Sequence, residues 1–392
     1  MLYLDHAATS PVRPEVLEAM RPYLTDVFGN PSSHHGAGHA AAEALEQARS
    51  RVAAALGMRG GDVVFTSGGT EANNLAVKGI VLGGSRRHLV TTAIEHESIL
   101  ASADHLRRFH DAEVTVLPVD GCGRVDPRDL AAAVREDTAL VSIGHANNEV
   151  GTVQDAAALV AVARERGVPF HLDAVQSAGW LPLAGLGADA VSIAGHKLGA
   201  PKGTGALAVR SRIPVEPVLH GGGQERGRRS GTENVAGAVA LATALDLAEA
   251  ERAEAAARVG AATRTFITGV LAQAPGAALT GAPPDSDTAD AGAAGAPGRL
   301  PSVASFTFAG TSGEAVLLEL ERRGVLSSSG SACAAGSDEP SPVLLALGIR
   351  PEVAQTAVRF TFGRAPLPPD APERLARLVA EAVTAVGAFS GR

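Results

Sequence analysis

The sequence predicts an α/β fold in which a mainly parallel seven-stranded sheet forms a large domain, followed by a smaller α+β domain at the C-terminal end. Three observations lead to this prediction. Short apolar segments alternate with helix-like segments as far as residue 209, most apolar segments have no polar face, and polar residues follow them. Strands that are apolar on both faces are typical of a sheet covered by helices on both sides.

Each element of the predicted large domain follows from its local pattern. The predicted strands are 62–66, 88–93, 113–117, 139–145, 169–173, 189–194 and 205–209. Helices are predicted at 14–24, 37–56, 71–82, 97–109, 127–135 and 154–166, after an extended arm at 1–14. This alternation indicates strand–helix–strand units.

The C-terminal part has a different pattern. An Ala- and Glu-rich helical region runs from Thr232 to about residue 270 and leads into the second domain. Further elements are predicted as a strand near 303–308, a helix at 313–323, a helix starting near Pro340, a strand at 356–362 and a helix near 370–388. Residues 281–300 are rich in Ala, Gly, Pro and Asp without periodicity, so we expect a mobile surface loop there. We assign residues 15–258 to the large domain, and 1–14 with 259–392 to the small one.

Composition excludes several classes of protein. The 392 residues exceed one typical core and carry a net charge of −8, with 45% hydrophobic and 19% charged residues. This balance argues against direct nucleic-acid binding and against a polybasic membrane anchor. We expect no secretion signal and no membrane span, and therefore a cytoplasmic protein. The two cysteines, Cys122 and Cys333, are not expected to form a disulfide in a reducing compartment.

A lysine and an aspartate occupy matching positions in two neighbouring strands. Lys197 follows the strand at 189–194, and Asp173 ends the strand at 169–173. A lone lysine here is more often a solvent-exposed or snorkelling side chain. Together, however, the two are what pyridoxal phosphate requires: an amine for a Schiff base and a carboxylate that keeps the pyridine nitrogen protonated.

Other polar residues follow the ends of the remaining strands. They are the turn Ser67–Thr70, His96, Asn148, Gln176 and His196. Individually, each is more readily explained by helix capping or turn formation. As a set at one edge of a sheet they indicate a ligand site, and the glycine turn before a helix suits a phosphate group.

Three further segments leave two interpretations open. The Gly-rich basic loop from His220 to Thr232 is either a second anion contact or a solvated loop. Arg359, inside an apolar strand, requires either a structural carboxylate or a substrate carboxylate as its partner. Cys333 lies among Ser, Gly and Ala, a composition that favours an accessible thiol, whereas Cys122 fits a buried or turn position.

Taken together, these residues resemble the cysteine desulfurases of the class V aminotransferase group, which are fold-type I pyridoxal-phosphate enzymes. The resemblance covers nearly the whole chain, in order. The motifs that carry it are YLDHAAT at 3–9, FTSGGTE at 65–71, NNEVG at 147–151, DAVQS at 173–177, GHK at 195–197, HGGGQE at 220–225, RSGT at 229–232, SSGSAC at 328–333 and RF at 359–360. The SSGSAC form is similar to that of the subgroup with a long cysteine loop.

The resemblance implies a role for each matched residue. Lys197 would bind the cofactor covalently, Asp173 would pair with its ring nitrogen, and His96 would stack on the ring and move protons. Contacts to the ring hydroxyl region are implied for Gln176 and Asn148, and contacts to the phosphate for Gly69, Thr70, His196 and, from the partner subunit of a homodimer, Thr232. Arg359, with Asn148, would bind the substrate carboxylate. Cys333 would take the sulfur of L-cysteine as a persulfide, leaving alanine.

The same resemblance implies partners and leaves alternatives. A sulfur-acceptor protein in iron–sulfur cluster assembly or tRNA thiolation is expected, and no metal site, apart from Cys333 as a transient iron–sulfur ligand. The family commonly has Ser where this chain has Ala194, so one phosphate contact is missing unless Ser192 or water supplies it. The alternatives are a selenocysteine lyase, another class V enzyme, or a scaffold protein without activity.

Overall fold

The structure is a computed structural model, and it describes residues 1–284, 298–330 and 339–390. The strands are β1 (Leu2–Tyr3), β2 (Val63–Thr66), β3 (His88–Thr92), β4 (Glu113–Leu117), β5 (Thr138–Gly144), β6 (Phe170–Asp173), β7 (Ala190–Ala194), β8 (Gly205–Val209), β9 (Ala277–Leu279), β10 (Val303–Phe308), β11 (Val325–Leu326) and β12 (Val358–Thr361). The helices are α1 (Pro14–Met20), α2 (Pro22–Thr25), α3 (Gly36–Ala55), α4 (Gly69–Asn74), α5 (Ile80–Gly83), α6 (Glu97–Phe109), α7 (Pro127–Ala133), α8 (Ala156–Glu165), α9 (Val235–Ala250), α10 (Arg252–Gln273), α11 (Gly313–Arg322), α12 (Pro342–Ala346), α13 (Pro351–Ala354) and α14 (Ala371–Ser390).

The large sheet confirms the predicted fold class. Its seven strands run in the order β2-β8-β7-β6-β5-β3-β4. Only β8 is antiparallel to its neighbours, so the C-terminal ends of the other six strands meet at one edge. Strands β3, β6, β7 and β8 are buried along their whole length, which explains their apolar composition. Ligands of such sheets collect beyond the carboxyl ends of the strands.

The helix predicted at 14–24 divides into α1 and α2 at Pro22, and two other predicted helical regions are interrupted without a proline. The region after Thr232 is two helices, α9 and α10, which meet at Glu251. The helix predicted at 71–82 contains a π-helical turn, Leu75–Gly79, between α4 and α5. Neither of these two breaks is marked by a proline, which is the usual sequence signal for one.

The C-terminal part contains its own small sheet and its own core. Strand β10 lies between β9 and β12, antiparallel to both. Behind it, the ring of Phe266 packs against Phe306, Phe360 and Phe362 at centroid distances of 5.9, 5.1 and 5.5 Å. The N-terminal strand β1 pairs with β11, which joins the N-terminal arm to the C-terminal part. The domain division at 258/259 stays a prediction.

The prediction that residues 281–300 form a surface loop is wrong at both ends of that segment. Ala282, Arg299 and Leu300 are buried. The Arg299 guanidinium donates hydrogen bonds to the carbonyl oxygens of Ala282 at 2.6 Å and Val303 at 3.2 Å. Burial lowers the pKa of Arg299 to about 10. Residues 285–297 lie outside the described part of the chain.

None of the helices in the described ranges combines the length and the apolar character needed to cross a membrane.

Candidate active site

One cavity of about 860 Å³ lies at the C-terminal edge of the large sheet, between the sheet and the C-terminal part. The structure brings most of the predicted site residues together around it. They are Gly69, Thr70, His96, Asn148, Asp173, Gln176, His196, Lys197 and Arg359. A cavity of this volume suits a cofactor with a small substrate.

Lys197 enters the cavity from a 3₁₀ turn, Gly195–Lys197, that directly follows β7. Its Nζ donates to the carbonyl oxygens of Ala7 and Ala8, the latter at 2.7 Å. The N-terminal arm that supplies these carbonyls is held in turn, because the amide of Ala7 donates to Oγ1 of Thr361 at 2.8 Å. The amine is therefore placed by the N-terminal arm, which no local pattern in the sequence indicated.

Asp173 ends β6 and is buried at the wall of the cavity. Oδ1 accepts a hydrogen bond from the amide of Val175 at 2.9 Å, and Oδ2 accepts one from Nδ2 of Asn73 at 2.7 Å. Burial raises the pKa of Asp173, while these two hydrogen bonds and the electrostatic influence of His96 and Lys197 act in the opposite direction. A cationic ring nitrogen placed here would further favour the ionised carboxylate.

Asn73 is a site residue that sequence reasoning missed. It lies on α4, one turn after the glycine turn that ends β2, and is buried. Besides Asp173, its Nδ2 donates to Oγ of Ser98 at 2.9 Å. Its position one helical turn after Gly69 was the available signal, since residues four apart lie on the same face of a helix.

His96 is the N-cap residue of α6 and lies at the cavity wall. Its Nδ1 accepts the amide of Ser98 at 3.0 Å and lies 2.8 Å from the Ser98 hydroxyl oxygen. Because Nδ1 is the acceptor in the neutral ring, Nε2 carries the hydrogen. Ser98 thus links the ring of His96 to Asn73 and, through it, to Asp173.

Glu95 is the second residue that the sequence did not reveal. Its carboxyl accepts hydrogen bonds from Oγ1 of Thr92 at 2.6 Å and from the amide of Gly144 at 2.8 Å, which connects β3 to β5. Burial, and secondly the charge of Asp173, raises the pKa of Glu95 to about 8. The raised pKa favours the protonated, neutral form of Glu95 beside Asp173.

The glycine turn before α4 is shaped by close packing against the sheet. A Cβ at Gly69 would lie 2.7 Å from Cγ2 of Val175, and one at Gly205 would lie 2.6 Å from Cα of Gly68. Glycine at these positions keeps the amide groups at the start of α4 open to the cavity. Backbone amides at a helix start, a buried carboxylate and a lysine fit the phosphate, ring nitrogen and aldehyde of pyridoxal phosphate.

His196 and Ser192 differ in what they offer to a phosphate. His196 borders the cavity, and its Nδ1 lies 3.2 Å from Oγ1 of Thr9. Burial, and then the charges of Lys197 and Lys202, lowers the pKa of His196 to about 4, so its ring is neutral. Ser192 is fully buried with its hydroxyl oxygen 2.8 Å from Nε2 of His171. Ser192 therefore does not replace the serine that is missing at Ala194.

Arg359 is held in place by Asp5. Its Nη2 donates to Oδ1 of Asp5 at 2.7 Å, and its Nη1 to the carbonyl oxygens of Asn148 at 2.9 Å and Gly330 at 3.2 Å. The sequence left open whether Arg359 has a structural carboxylate as its partner, and the structure shows that it has one, Asp5. Nε is buried and has no acceptor among the described residues.

Thr232 lies apart from the other predicted site residues that the structure describes. Thr232 borders a separate cavity of about 230 Å³, which shares Ser67 and Gly203 with the large one. Cys333 lies outside the described residues. The residues that flank its segment, Gly330 and Glu339, both line the large cavity.

Comparison with known proteins agrees with this geometry. Residues 2–366 match the family model described as aminotransferase class-V. The chain is 43% identical to the cysteine desulfurase IscS of Dictyoglomus turgidum, over 92% of this chain and 89% of that one. It is 42% identical to the IscS-like cysteine desulfurase of Mycobacterium tuberculosis, over 99% and 100%. A solved NifS-like protein superposes with a TM-score of 0.87 at 32% identity, covering 98% of this chain and 99% of that chain. The chain therefore belongs to the class V aminotransferase family and, within it, to the cysteine desulfurases, which depend on pyridoxal phosphate.

Proposed function

We propose that this protein takes sulfur from L-cysteine, releases L-alanine, and holds the sulfur as a persulfide on Cys333 for transfer to an acceptor protein. The observation that carries the proposal is the large cavity itself. Around it lie an amine, a buried carboxylate and an arginine whose buried Nε has no acceptor in the described ranges, and both flanks of the segment that contains Cys333 line it.

In this proposal each polar residue has a defined task. Lys197 binds pyridoxal phosphate covalently, and the amides at Gly69 and Thr70 with His196 hold its phosphate. Gln176 and Asn148 contact the ring hydroxyl region, and Arg359 receives the substrate carboxylate. When bound, the cofactor withdraws electrons from the carbon atoms of the substrate. Asp173 makes that possible by keeping the ring nitrogen protonated, and His96 stacks on the ring and moves protons.

The transfer of sulfur from L-cysteine to Cys333 conserves atoms and electrons and requires no added oxidant. The thiolate of Cys333 forms a bond to the sulfur of the substrate, and the bond between that sulfur and its carbon breaks. The electron pair of the broken bond stays with the carbon, which takes up a proton and becomes the methyl group of alanine. The enzyme thiol and L-cysteine therefore give an enzyme persulfide and L-alanine.

We further propose a cytoplasmic homodimer in which Thr232 serves the phosphate of the partner subunit. Thr232 is exposed and borders the smaller cavity rather than the large one, which supports a contact across an interface. The acceptor is proposed to be a protein of iron–sulfur cluster assembly or tRNA thiolation.

The test is to incubate the purified protein with pyridoxal phosphate, L-cysteine and dithiothreitol and to quantify both products. Equal amounts of sulfide and alanine are expected. If the cofactor is bound but alanine or sulfide is not released, the proposal is contradicted and an inactive scaffold protein is favoured. A parallel assay with L-selenocysteine tests the lyase alternative, which predicts release of selenide and no sulfide.

A further inference from the structure

A second cavity, of about 490 Å³, lies next to the catalytic one. The two cavities share Ala7, Val175, Gln176 and Lys197, so they are separated by the N-terminal arm and the lysine side chain. Three arginines line the second cavity: Arg13, Arg258 and Arg364. We call it the arginine cavity.

Arg364 is the least satisfied of the three. Its guanidinium carbon lies 4.2 Å from the ring centroid of Trp180. Nη1 and Nη2 are both buried, and neither has a hydrogen-bond acceptor in the part of the chain that the structure describes. Burial lowers the pKa of Arg364 to about 10, with Arg13 contributing in the same direction. A buried donor without an acceptor is costly, and a bound ligand that supplies the acceptor would remove that cost.

The nearby carboxylates are engaged mainly by Arg13 and Arg258, and Glu15, which also lines the cavity, lies 3.8 Å from Nε of Arg13. Glu251 accepts both terminal nitrogens of Arg13, at 2.6 and 3.4 Å, but lies 3.7 Å from Nη1 of Arg364. Arg258 is paired with Glu254 at 2.8 Å. One guanidinium group is therefore left without a carboxylate at hydrogen-bond distance among the described residues.

The rest of the wall is largely apolar. It is formed by Pro11, Val175, Trp180, Leu198, Val303 and Phe362, among others. A cavity of this volume, apolar with a few charged groups, is typical of a site for a small organic ligand. Arginine pairs with carboxylates in a two-pronged geometry, which favours a carboxylate over a neutral group.

We propose that the arginine cavity is a second ligand site, distinct from the catalytic cavity, which binds a small organic carboxylate with an apolar body. The carboxylate pairs with Arg364, and the apolar body packs on Trp180 and the neighbouring aliphatic side chains. This inference does not depend on the desulfurase reaction.

Trp180 offers a direct test, because it is the only tryptophan in the chain. The holoenzyme is saturated with L-alanine to fill the substrate site and then titrated with cyclohexanecarboxylate, while tryptophan fluorescence is recorded. A saturable change is expected. Cyclohexanemethanol, which lacks the charge, and inorganic phosphate, which lacks the apolar body, are each expected to bind at least about tenfold more weakly.

Two variants of Arg364 locate the carboxylate. Arg364→Met is expected to weaken cyclohexanecarboxylate binding at least about tenfold, and Arg364→Lys to give an intermediate value because it keeps the charge without the two-pronged geometry. Arg212→Met, a change at an exposed arginine, is the matched control and should bind like the unchanged protein. Thermal midpoints confirm that each variant is folded.

The proposal is overturned if cyclohexanecarboxylate gives no saturable signal, if cyclohexanemethanol or phosphate binds as tightly, or if Arg364→Met binds unchanged. Competition by L-alanine would also overturn it, because the probe would then occupy the catalytic cavity.

Discussion

Oδ2 of Asp173 accepts a hydrogen bond from Nδ2 of Asn73 at 2.7 Å, between residues 100 positions apart in the chain. The bond joins the end of β6 to α4, the helix that begins at the glycine turn. The group proposed for the ring nitrogen and the turn proposed for the phosphate are thereby fixed relative to each other. Pre-organisation of this kind is what catalysis by a bound cofactor requires.

Asp173→Asn is expected to retain the cofactor but to slow sulfide release about a hundredfold or more, because a neutral amide cannot keep the ring nitrogen protonated. Steady-state sulfide assays and the absorption spectrum of the holoenzyme measure the two effects. Asp155→Asn is the matched control, since an asparagine caps α8 as well as the aspartate does. Unchanged turnover in Asp173→Asn would refute the proposed role of the carboxylate.

Lys197→Ala is expected to abolish both the visible absorption of covalently bound cofactor and the release of sulfide. The reason is that Lys197 is the lysine that the end of β7 and the N-terminal arm place in the cavity. Lys78→Ala, within the π-helical turn, should keep both properties. Reduction with borohydride followed by peptide mapping identifies the modified lysine, and a label on Lys78 or Lys202 would show that the assignment is wrong.

Substitution of the two cysteines is expected to have very different effects on sulfide release. Cys333→Ser should bind the cofactor and L-cysteine but release no sulfide, because the sulfur then has no thiolate to receive it. Cys122→Ser should be nearly silent, because Cys122 lies in a turn where its amide donates to Oδ1 of Asp120 at 2.8 Å. Mass spectrometry after incubation with L-cysteine should find the added sulfur on the Cys333 peptide. Added sulfur on Cys122 alone would contradict the mechanism.

Glu95 should make stability depend on pH in a predictable direction. Its pKa is raised from 4.5 to about 8 in the folded protein, so the folded state keeps a proton that the unfolded state loses. Its contribution is fully present below about pH 4.5 and is lost as the pH rises to about 8, by a few kcal/mol in total.

The measurement compares urea unfolding at about pH 5.5 and about pH 8.5. Glu95→Gln should lose less stability over this interval than the unchanged protein. Glu314→Gln, at an exposed position in α11, should lose as much as the unchanged protein. The three buried histidines, His88, His145 and His171, are present in all three proteins, so they do not affect the difference. Equal losses in all three would show that Glu95 is ionised throughout.

The sequence predicted the fold class, the seven strands of the large sheet and the residues at their ends. It could do so because the apolar periodicity of a buried strand and the polar residue that follows it are both local. Two-residue strands such as β1 and β11 were missed, since their pairing joins residues more than 300 positions apart and leaves no periodic signal. Asn73 and Glu95 were missed for a similar reason, because they hydrogen-bond to Asp173 and Gly144, which lie in strands remote from them in the sequence.

The sequence by itself thus determined which residue types stand at the carboxyl edge of the sheet. Only the tertiary structure decided what each of them contacts. It paired Arg359 with Asp5 and placed Lys197 against the N-terminal arm. It also brought the hydroxyl of Ser192 to the ring of His171 and placed Thr232 at a different cavity. The physical reason is that hydrogen bonds and burial depend on distances between segments remote in the chain, and those distances exist only after the sheet and the C-terminal part have packed together.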